Sequence, residues 1–193
     1  MSVVSFLVFA FVTSFTPGPN NIMAMAFANQ YGFKRTLKFC LGVGVGCFLI
    51  LIGCSSFNML LGTYLPKVEF FMTILGASYM LYLAFKILKS KPDGNNDSGD
   101  KNISFSAGMM LQFINPKLIL YGITAISTFV LPYYSSPSSF LMFSLFLAFV
   151  GFAATICWAF FGALFQKFLR QYRTQFNVLM ALLLMYSAVT ILV

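Results

Sequence analysis

Charged side chains are scarce in this chain. Asp, Glu, Lys and Arg make up only 8% of its 193 residues, whereas about 25% of the residues of a soluble domain are charged. Hydrophobic residues make up 60%, and the mean hydropathy is +0.88. A chain of this composition lacks the polar residues that cover a water-facing surface. We therefore predict an all-α integral membrane protein, because a helix satisfies its own backbone hydrogen bonds in lipid.

Histidine is absent, and acidic residues are few. The only acids are Glu69, Asp93, Asp97 and Asp100, and none lies deep inside an apolar run. Metal sites and general acid–base catalysis draw mainly on His, Cys and carboxylates, so we expect no metal, no cofactor and no catalytic residue. The chain is therefore not predicted to be an enzyme, and a proton relay of buried carboxylates is not expected.

The cysteines do not form a reactive group by their spacing. Cys40, Cys47 and Cys54 recur every seventh residue, and Cys157 stands apart. On one helix, successive sulfur atoms of the first three would lie about 10 Å apart, too far for a disulfide or a shared metal ion. We interpret them as small apolar packing residues.

The basic residues flank the apolar runs. The formal net charge is +8, but Lys and Arg lie at short connections and do not form the continuous stripe that binds nucleic acid. Nearly all of them belong to the first, third and fifth connections. Because cytoplasmic loops carry an excess of Lys and Arg, these connections are predicted to be cytoplasmic and both termini periplasmic.

Several apolar segments are long enough to cross a membrane, which takes about 20 residues in a helix. The six candidates cover about 3–28, 39–61, 68–88, 104–131, 139–165 and 174–193. The polar tract at about 91–102 is predicted to be a cytoplasmic linker between half-repeats at about 1–90 and 103–193. Since each half has an odd number of spans, the second half enters from the opposite side. This predicts a 3+3 inverted repeat within a single transmembrane transporter domain over 1–193.

The first segment is interrupted by Thr16-Pro17-Gly18-Pro19-Asn20-Asn21. A proline inside a helix lacks an N–H group and clashes with the preceding turn, so these six residues are predicted to be non-helical. In a membrane, irregular backbone is tolerated only where protein buries it or where it lines a water-filled cavity. The alternative is that the prolines merely kink a packed helix.

The fourth segment carries a second, milder interruption at Asn115-Pro116-Lys117, and Gln112 lies one helical turn before it. Paired interrupted helices in the two halves of a chain are the best sequence pointer to a transporter's binding site. Free N–H groups at a break attract a carboxylate and free carbonyl groups attract an ammonium group. Two breaks that meet near mid-membrane therefore suit a zwitterionic amino acid. The amides of Asn20, Asn21 and Gln112 are expected to face the interior, where they either bind substrate or tie helices together.

Lys117 is the ionisable residue that lies deepest inside a predicted span. A charge at such a position marks a functional site by default. Its side chain either points to the interior or extends along the helix to the cytoplasmic interface, a distance of about 20 Å. We favour the interior, where Lys117 would pair with a carboxylate or act as a conformation-dependent charge.

These motifs together resemble the LysE/RhtB family of amino-acid exporters. The stretch Thr16-Pro17-Gly18-Pro19-Asn20 is similar to the signature of the family's first helix, and Asn115-Pro116-Lys117 is similar to that of its fourth. Residues 76–83 resemble the third-helix pattern. The resemblance covers the whole chain and implies that these break residues line or shape the export pathway. Many members have an acid at the position of Asn20, from which this sequence departs.

Within the family, residues 111–115, 121–132, 157–159 and 164–166 resemble those of the members that export cysteine and O-acetylserine. The resemblance implies efflux of these two amino acids across a bacterial inner membrane. We expect it to proceed by alternating access around the two breaks, as antiport driven by the proton-motive force. Efflux of homoserine, threonine or another amino acid, a passive pore and a structural membrane subunit stay open as alternatives. The expected partners are a small amino acid and membrane lipid, and a homo-oligomer is left open.

Overall fold

The computed structural model describes residues 2–61, 65–89, 103–165, 168 and 171–192. Within these ranges the chain is helical and forms no strand. The helices are α1 (Val3–Phe15), α2 (Pro19–Tyr31), α3 (Phe33–Leu61), α4 (Leu65–Leu88), α5 (Phe105–Phe113), α6 (Pro116–Thr124), a π-helix (Ala125–Val130), α7 (Pro137–Leu164) and α8 (Arg173–Leu192). The predicted linker at 91–102 lies outside the described residues. The all-α prediction is confirmed.

The described helices include candidate membrane spans of two kinds. Two single helices are long and apolar enough, over Phe33–Ser56 in α3 and over the whole of α7. Two further spans arise if each bent helix pair crosses as one unit, which gives two to four spans by length and composition. The chain is thus a membrane-spanning protein, while the predicted number of six spans stays a prediction.

The first bent pair is α1 and α2, whose axes differ by 46°. The predicted segment 3–28 extends three residues further in the structure, to Tyr31, and α3 begins at Phe33 directly after Gly32. Gly32 has a φ of +87°, a left-handed conformation that L side chains rarely adopt and glycine adopts without strain. This single residue turns the chain back, and the basic side chains of Lys34, Arg35 and Lys38 are therefore exposed on α3 itself.

The second bent pair is α5 with the segment Pro116–Val130, and its axes differ by 60°. Ser104 begins α5, since its side chain accepts a hydrogen bond of 3.0 Å from the N–H group of Ala107. After α6 the chain widens into six π-helical residues, with the N–H group of Leu131 bonded to the carbonyl oxygen of Ile126 at 2.8 Å. Such π segments inside helices are rare and are often found at functional sites.

Glycines bring α3 and α5 unusually close together. A Cβ atom at Gly42 would overlap the carbonyl oxygen of Phe105, and one at Gly46 would lie 2.7 Å from that of Met109. From the other side, Gly108 rests on the carbonyl oxygen of Phe39. Small residues spaced by four allow such close helix packing in membranes. The Gly42/Gly46 pair therefore joins two helices of one chain, as the spacing indicates, and holds the second break beside α3.

Three apolar clusters position the two breaks. One joins α1, α3, α6, the π-helix and α7 around Leu51 and Leu147. A second joins α2, α4 and α8 around Met80 and Leu184, and a third joins α2, α3, α5 and α7 around Phe39. Many large apolar side chains also point outward, as expected of helices whose outer faces contact lipid. These clusters include residues of all four half-helices and so pack both bent pairs into the bundle.

Candidate functional site

The first break is shorter than predicted. Helix α1 ends at Phe15, and only Thr16, Pro17 and Gly18 are non-helical. The six-residue prediction is wrong because Pro19 occupies the first position of α2, where the missing N–H group would have no helical partner in any case and the fixed φ favours the helix. The two asparagines that follow thus belong to the first turn of α2 and extend from a rigid helix.

The carbonyl groups freed by this break are all bonded to named donors. The carbonyl oxygen of Phe15 accepts from the indole N–H of Trp158 at 3.1 Å, and that of Pro17 accepts from the Ser187 hydroxyl at 3.0 Å. Asn21 donates through Nδ2 to the carbonyl oxygens of Ser14 and Thr16, at 2.8 and 3.1 Å. Uncapped carbonyl groups would be costly away from water. The break is therefore held in one conformation by α7 and α8 as well as by its own residues.

The second break comprises Ile114 and Asn115, and α6 begins at Pro116. The N–H group of Asn115 bonds to the carbonyl oxygen of Gln112 at 3.3 Å, which closes a tight turn. Asn115 is the N-cap of α6 but makes no side-chain capping bond there. Its side chain is therefore available to the first break.

An amide cluster connects the two breaks. Asn20 and Gln112 bond in both directions: Asn20 Nδ2 donates to Gln112 Oε1 at 2.8 Å, and Gln112 Nε2 donates to Asn20 Oδ1 at 3.0 Å. Asn115 Nδ2 also donates to Asn20 Oδ1, at 3.1 Å. Gln112 and Asn115 are 0% and 2% exposed. The structure thus brings together the interior-facing amides of both segments, and here they tie helices to one another.

Lys117 reaches back in the opposite direction. Its ammonium nitrogen Nζ donates to the carbonyl oxygen of Thr16 at 2.9 Å, to Thr16 Oγ1 at 2.8 Å and to the carbonyl oxygen of Pro17 at 3.2 Å. A Cβ atom at Gly18 would lie 2.9 Å from Lys117 Cδ. The side chain therefore extends across to the first break and lies on Gly18.

Asn21 connects the first break to α7. It is 5% exposed, and its Oδ1 accepts from the hydroxyl of Thr155 at 3.3 Å. That hydroxyl also bonds to the carbonyl oxygen of Gly151 at 3.0 Å. Asn21 therefore ties both ends of the first break to the middle of α7.

A cavity of about 50 Å³ lies between the breaks. Six of the predicted site residues line it, namely Gly18, Pro19, Asn20, Asn21, Asn115 and Lys117. Thr16, Pro17 and Gln112 lie behind them, hydrogen-bonded to Lys117 and Asn20, and Pro116 lies between two lining residues. By the same measure a water molecule needs about 10–15 Å³, so the cavity has room for a few water molecules.

Two polar features of the cavity wall have unused hydrogen-bonding capacity. Asn115 Oδ1 is buried and has no partner among the described residues. The backbone N–H groups of Asn20 and Asn21 also find no acceptor in the described part of the chain, as expected of the first turn of a helix. Lys117 thus binds the carbonyl groups of Thr16 and Pro17. The N–H groups of Asn20 and Asn21 have no acceptor among the described residues and can bind an anionic group.

Several residues of this site were not predicted from the sequence. Ser14 donates to the Tyr121 hydroxyl at 3.4 Å in the cavity wall. Thr155 donates to Asn21 at the start of α2, Trp158 to the carbonyl oxygen of Phe15 at the end of α1, and Ser187 to that of Pro17 in the first break. All are polar residues inside otherwise apolar helices. That signal was available in the sequence, but which break each residue would reach depends on how α7 and α8 pack. In the described ranges, no three His, Cys, Asp or Glu residues are placed to hold a metal ion.

Known proteins are similar to this chain over most of its length. The family model described as LysE type translocator matches residues 11–193. The chain is 40% identical over 187 residues to the cysteine/O-acetylserine efflux proteins of Escherichia coli strain K12 and of Shigella flexneri serotype 5b. The alignments cover 97% of this chain and 95% of each relative. No solved structure matches the chain. The chain therefore belongs to the LysE type translocator family.

Proposed function

We propose that this protein exports small neutral amino acids, cysteine and O-acetylserine first among them, across the inner membrane of a bacterium. The observation that carries the proposal is the meeting of two helix breaks at one cavity, with the free N–H groups of α2 on one side and the carbonyl groups of Thr16 and Pro17 on another. Relatives that align over 97% of the chain are named for the efflux of these two compounds.

The cavity offers separate places for the charged groups of an amino acid. A carboxylate is favoured at the N–H groups of Asn20 and Asn21, where the dipole of α2 adds a partial positive charge. Asn115 Oδ1 can accept a hydrogen bond from the substrate. Cys47, Tyr121 and Gly151 are among the other residues of the wall. With both ends of the zwitterion engaged, a short side chain is accommodated more easily than a long one.

We further propose six spans arranged as a 3+3 inverted repeat, with α1 and α2 as the first span and α5 and α6 as the fourth. The largest helix contacts support this arrangement, whereas the smaller contacts of α2 with α3 and of α4 with α6 have no counterpart of similar size. In such a repeat α1, α2, α3 and α4 correspond to α5, α6, α7 and α8. The contact of α3 with α5 then corresponds to that of α7 with α1, and the contact of α2 with α7 corresponds to that of α6 with α3. The contacts of α3 with α7 and of α4 with α8 map onto themselves. Each half also has a proline at the first position of its second half-helix.

Alternating access fits a site of this construction. The side-chain bonds that join the breaks connect different helices, so exchanging them for bonds to a substrate can release one side of the bundle before the other. We propose that outward movement is coupled to the proton-motive force as antiport and that both termini are periplasmic. The excess of Lys and Arg at the first, third and fifth connections supports this orientation.

The test is transport in inside-out membrane vesicles, in which export appears as uptake. Labelled cysteine and O-acetylserine are supplied with and without an uncoupler, and vesicles without the protein are the control. Saturable uptake that unlabelled substrate competes away and that the uncoupler abolishes is expected. Uptake of homoserine or threonine alone would overturn the substrate but keep the exporter.

Two other outcomes would overturn the exporter itself. Flux that neither saturates nor shows counterflow would identify a passive pore. Absence of any amino-acid uptake by correctly inserted protein would favour a structural membrane subunit. Reconstitution of the purified protein in liposomes separates these outcomes from effects of other membrane proteins.

A further inference from the structure

We propose that three oxygen atoms of the first break form a binding site for a primary ammonium group. They are the carbonyl oxygens of Thr16 and Pro17 and the hydroxyl oxygen Oγ1 of Thr16. Lys117 fills this site in the structure, and the α-ammonium group of the transported amino acid takes it over during export. The second part of the proposal rests on the proposed function, whereas the existence of the site does not.

The geometry matches an ammonium group in number and in distance. An alkylammonium ion has three N–H donors and no acceptor, and Lys117 Nζ has three acceptors between 2.8 and 3.2 Å. All three acceptors are neutral oxygens at the C-terminal end of α1, where the helix dipole favours a cation. A free α-ammonium group carries the same charge and the same three donors as the lysine side chain.

The three oxygens are held in place without help from Lys117. The Ser187 hydroxyl bonds to the Pro17 carbonyl at 3.0 Å, and Asn21 Nδ2 bonds to the Thr16 carbonyl at 3.1 Å. The Thr16 hydroxyl donates its own proton to the Thr13 carbonyl at 2.8 Å, so that its lone pairs face the ammonium group. Each carbonyl oxygen has a second lone pair for the ligand. The site is therefore pre-formed and keeps its shape when the lysine leaves.

The lysine is attached in a way that allows it to leave. No carboxylate is among its acceptors, and its stem lies on the bare backbone of Gly18, where only a glycine leaves room. A substrate that takes the three oxygens brings a carboxylate with it. The displaced ammonium group of Lys117 can then pair with this carboxylate, so the exchange leaves no unpaired charge inside the membrane.

This exchange combines the two roles predicted for Lys117. It is a conformation-dependent charge before the substrate arrives and a carboxylate partner afterwards. The ligand class follows: the site takes primary ammonium groups and rejects quaternary ones, which lack N–H donors. Compounds with a carboxylate but no ammonium group leave Lys117 in its site.

Thermal unfolding of the purified protein in detergent tests the site without any transport. The Lys117→Ala variant lacks Cγ, Cδ, Cε and Nζ, which n-propylammonium replaces atom for atom. We expect n-propylammonium chloride to raise the melting temperature of this variant saturably, and tetramethylammonium and sodium chlorides at equal concentration to have no such effect. The wild-type protein, whose site is filled, should respond to none of the three.

Two further variants keep the test decisive. In Lys117→Met the apolar stem remains, so the smaller ammonium ion should stabilise this variant and n-propylammonium should not; this arm replaces the first if Lys117→Ala does not fold. Adding Thr16→Val to Lys117→Ala removes one acceptor and should weaken n-propylammonium binding by about tenfold or more, since a hydrogen bond to a charged group is lost.

The outcomes separate the site from the exporter. Equal stabilisation by n-propylammonium and tetramethylammonium, or none by either, would overturn the ammonium site. A response to sodium as large as that to n-propylammonium would replace it with a general cation site. A selective response from a protein that transports no amino acid would keep the site and overturn the proposed function.

Discussion

Asn20 and Lys117 occupy the same position in two half-helices and reach in opposite directions across the site. Each directly follows the proline that begins its half-helix. Asn20 bonds to Gln112 and Asn115 at the second break, while Lys117 bonds to Thr16 and Pro17 at the first. Each break is therefore hydrogen-bonded to a side chain from the other half of the chain, and the following predictions concern these bonds and the packing around them.

Lys117→Met should abolish or strongly reduce export while the protein still folds in the membrane. The apolar side chain retains the stem that lies on Gly18 but cannot bond to the break or pair with a carboxylate. Vesicle uptake measures the activity, and the amount of inserted protein and its melting temperature measure folding. Near-normal uptake by this variant would remove Lys117 from the site.

Gly18→Ala should loosen Lys117 without unfolding the protein. The backbone at Gly18 is extended, with a φ of −166° and a ψ of 173° that any residue can adopt. An added Cβ would meet only the flexible end of the lysine, 2.9 Å from Cδ and 3.1 Å from Nζ. We expect an unchanged amount of inserted protein and an altered KM. A large loss of inserted protein would instead indicate that the backbone at this position does not tolerate a Cβ atom.

Asn20 and Gln112 should be energetically coupled. Asn20→Ala leaves Gln112 Oε1 without its donor in a buried position, which costs about 1–3 kcal/mol. Once Gln112→Leu has removed the partner, the same change should cost less. A double-mutant cycle of unfolding free energies in detergent measures the difference, expected at about 0.5–3 kcal/mol. Additive effects of the two changes would contradict a direct bond.

Gly42→Ala should destabilise the protein, because the new Cβ would overlap the backbone of Phe105 and push α3 away from α5. Such overpacking costs about 1–3 kcal/mol. Gly53→Ala, in the same helix, is the matched control, since nothing lies within 4 Å of the position of its Cβ. The melting temperature should fall for the first variant and stay level or rise slightly for the second. An equal change in melting temperature for both variants would mean that the helix propensity of alanine, and not the contact with α5, determines the effect.

The cysteines should report opening of the cavity. Cys157 is partly exposed, whereas Cys40 and Cys47 are buried, and Cys47 lines the cavity. A membrane-permeant maleimide should therefore label Cys157 first, and mass spectrometry of the peptides measures this. During transport we expect the labelling of Cys47 to increase and that of Cys40 to stay low. Constant protection of Cys47 under turnover would argue against opening of the cavity during transport.

The positions of the breaks could be predicted because proline has few compatible backbone environments. Pro17 and Pro116 cannot lie inside a regular helix, and the structure interrupts the helices at both places. The length of the first break could not be predicted in the same way. Pro19 is as compatible with the first position of a helix as with a loop, and only the structure distinguishes the two.

The partners of the break could be predicted only in part. The depth of Lys117 and the helical spacing of Gln112 and Asn115 indicated polar side chains that face the interior. In the structure Gln112 and Asn115 bond to Asn20, and Lys117 bonds to the first break. The donors Trp158 and Ser187 were not predicted, because the carbonyl group that each reaches depends on the rotation of α7 and α8 about their axes. Sequence spacing within one helix does not determine that rotation.

The donors that cap the first break come from parts of the chain that are synthesised after it. Lys117, Trp158 and Ser187 cap the carbonyl groups of Phe15, Thr16 and Pro17, yet all three are synthesised well after α1. During synthesis the first break therefore enters the membrane with capping groups still missing, and it reaches its final form only when α8 arrives.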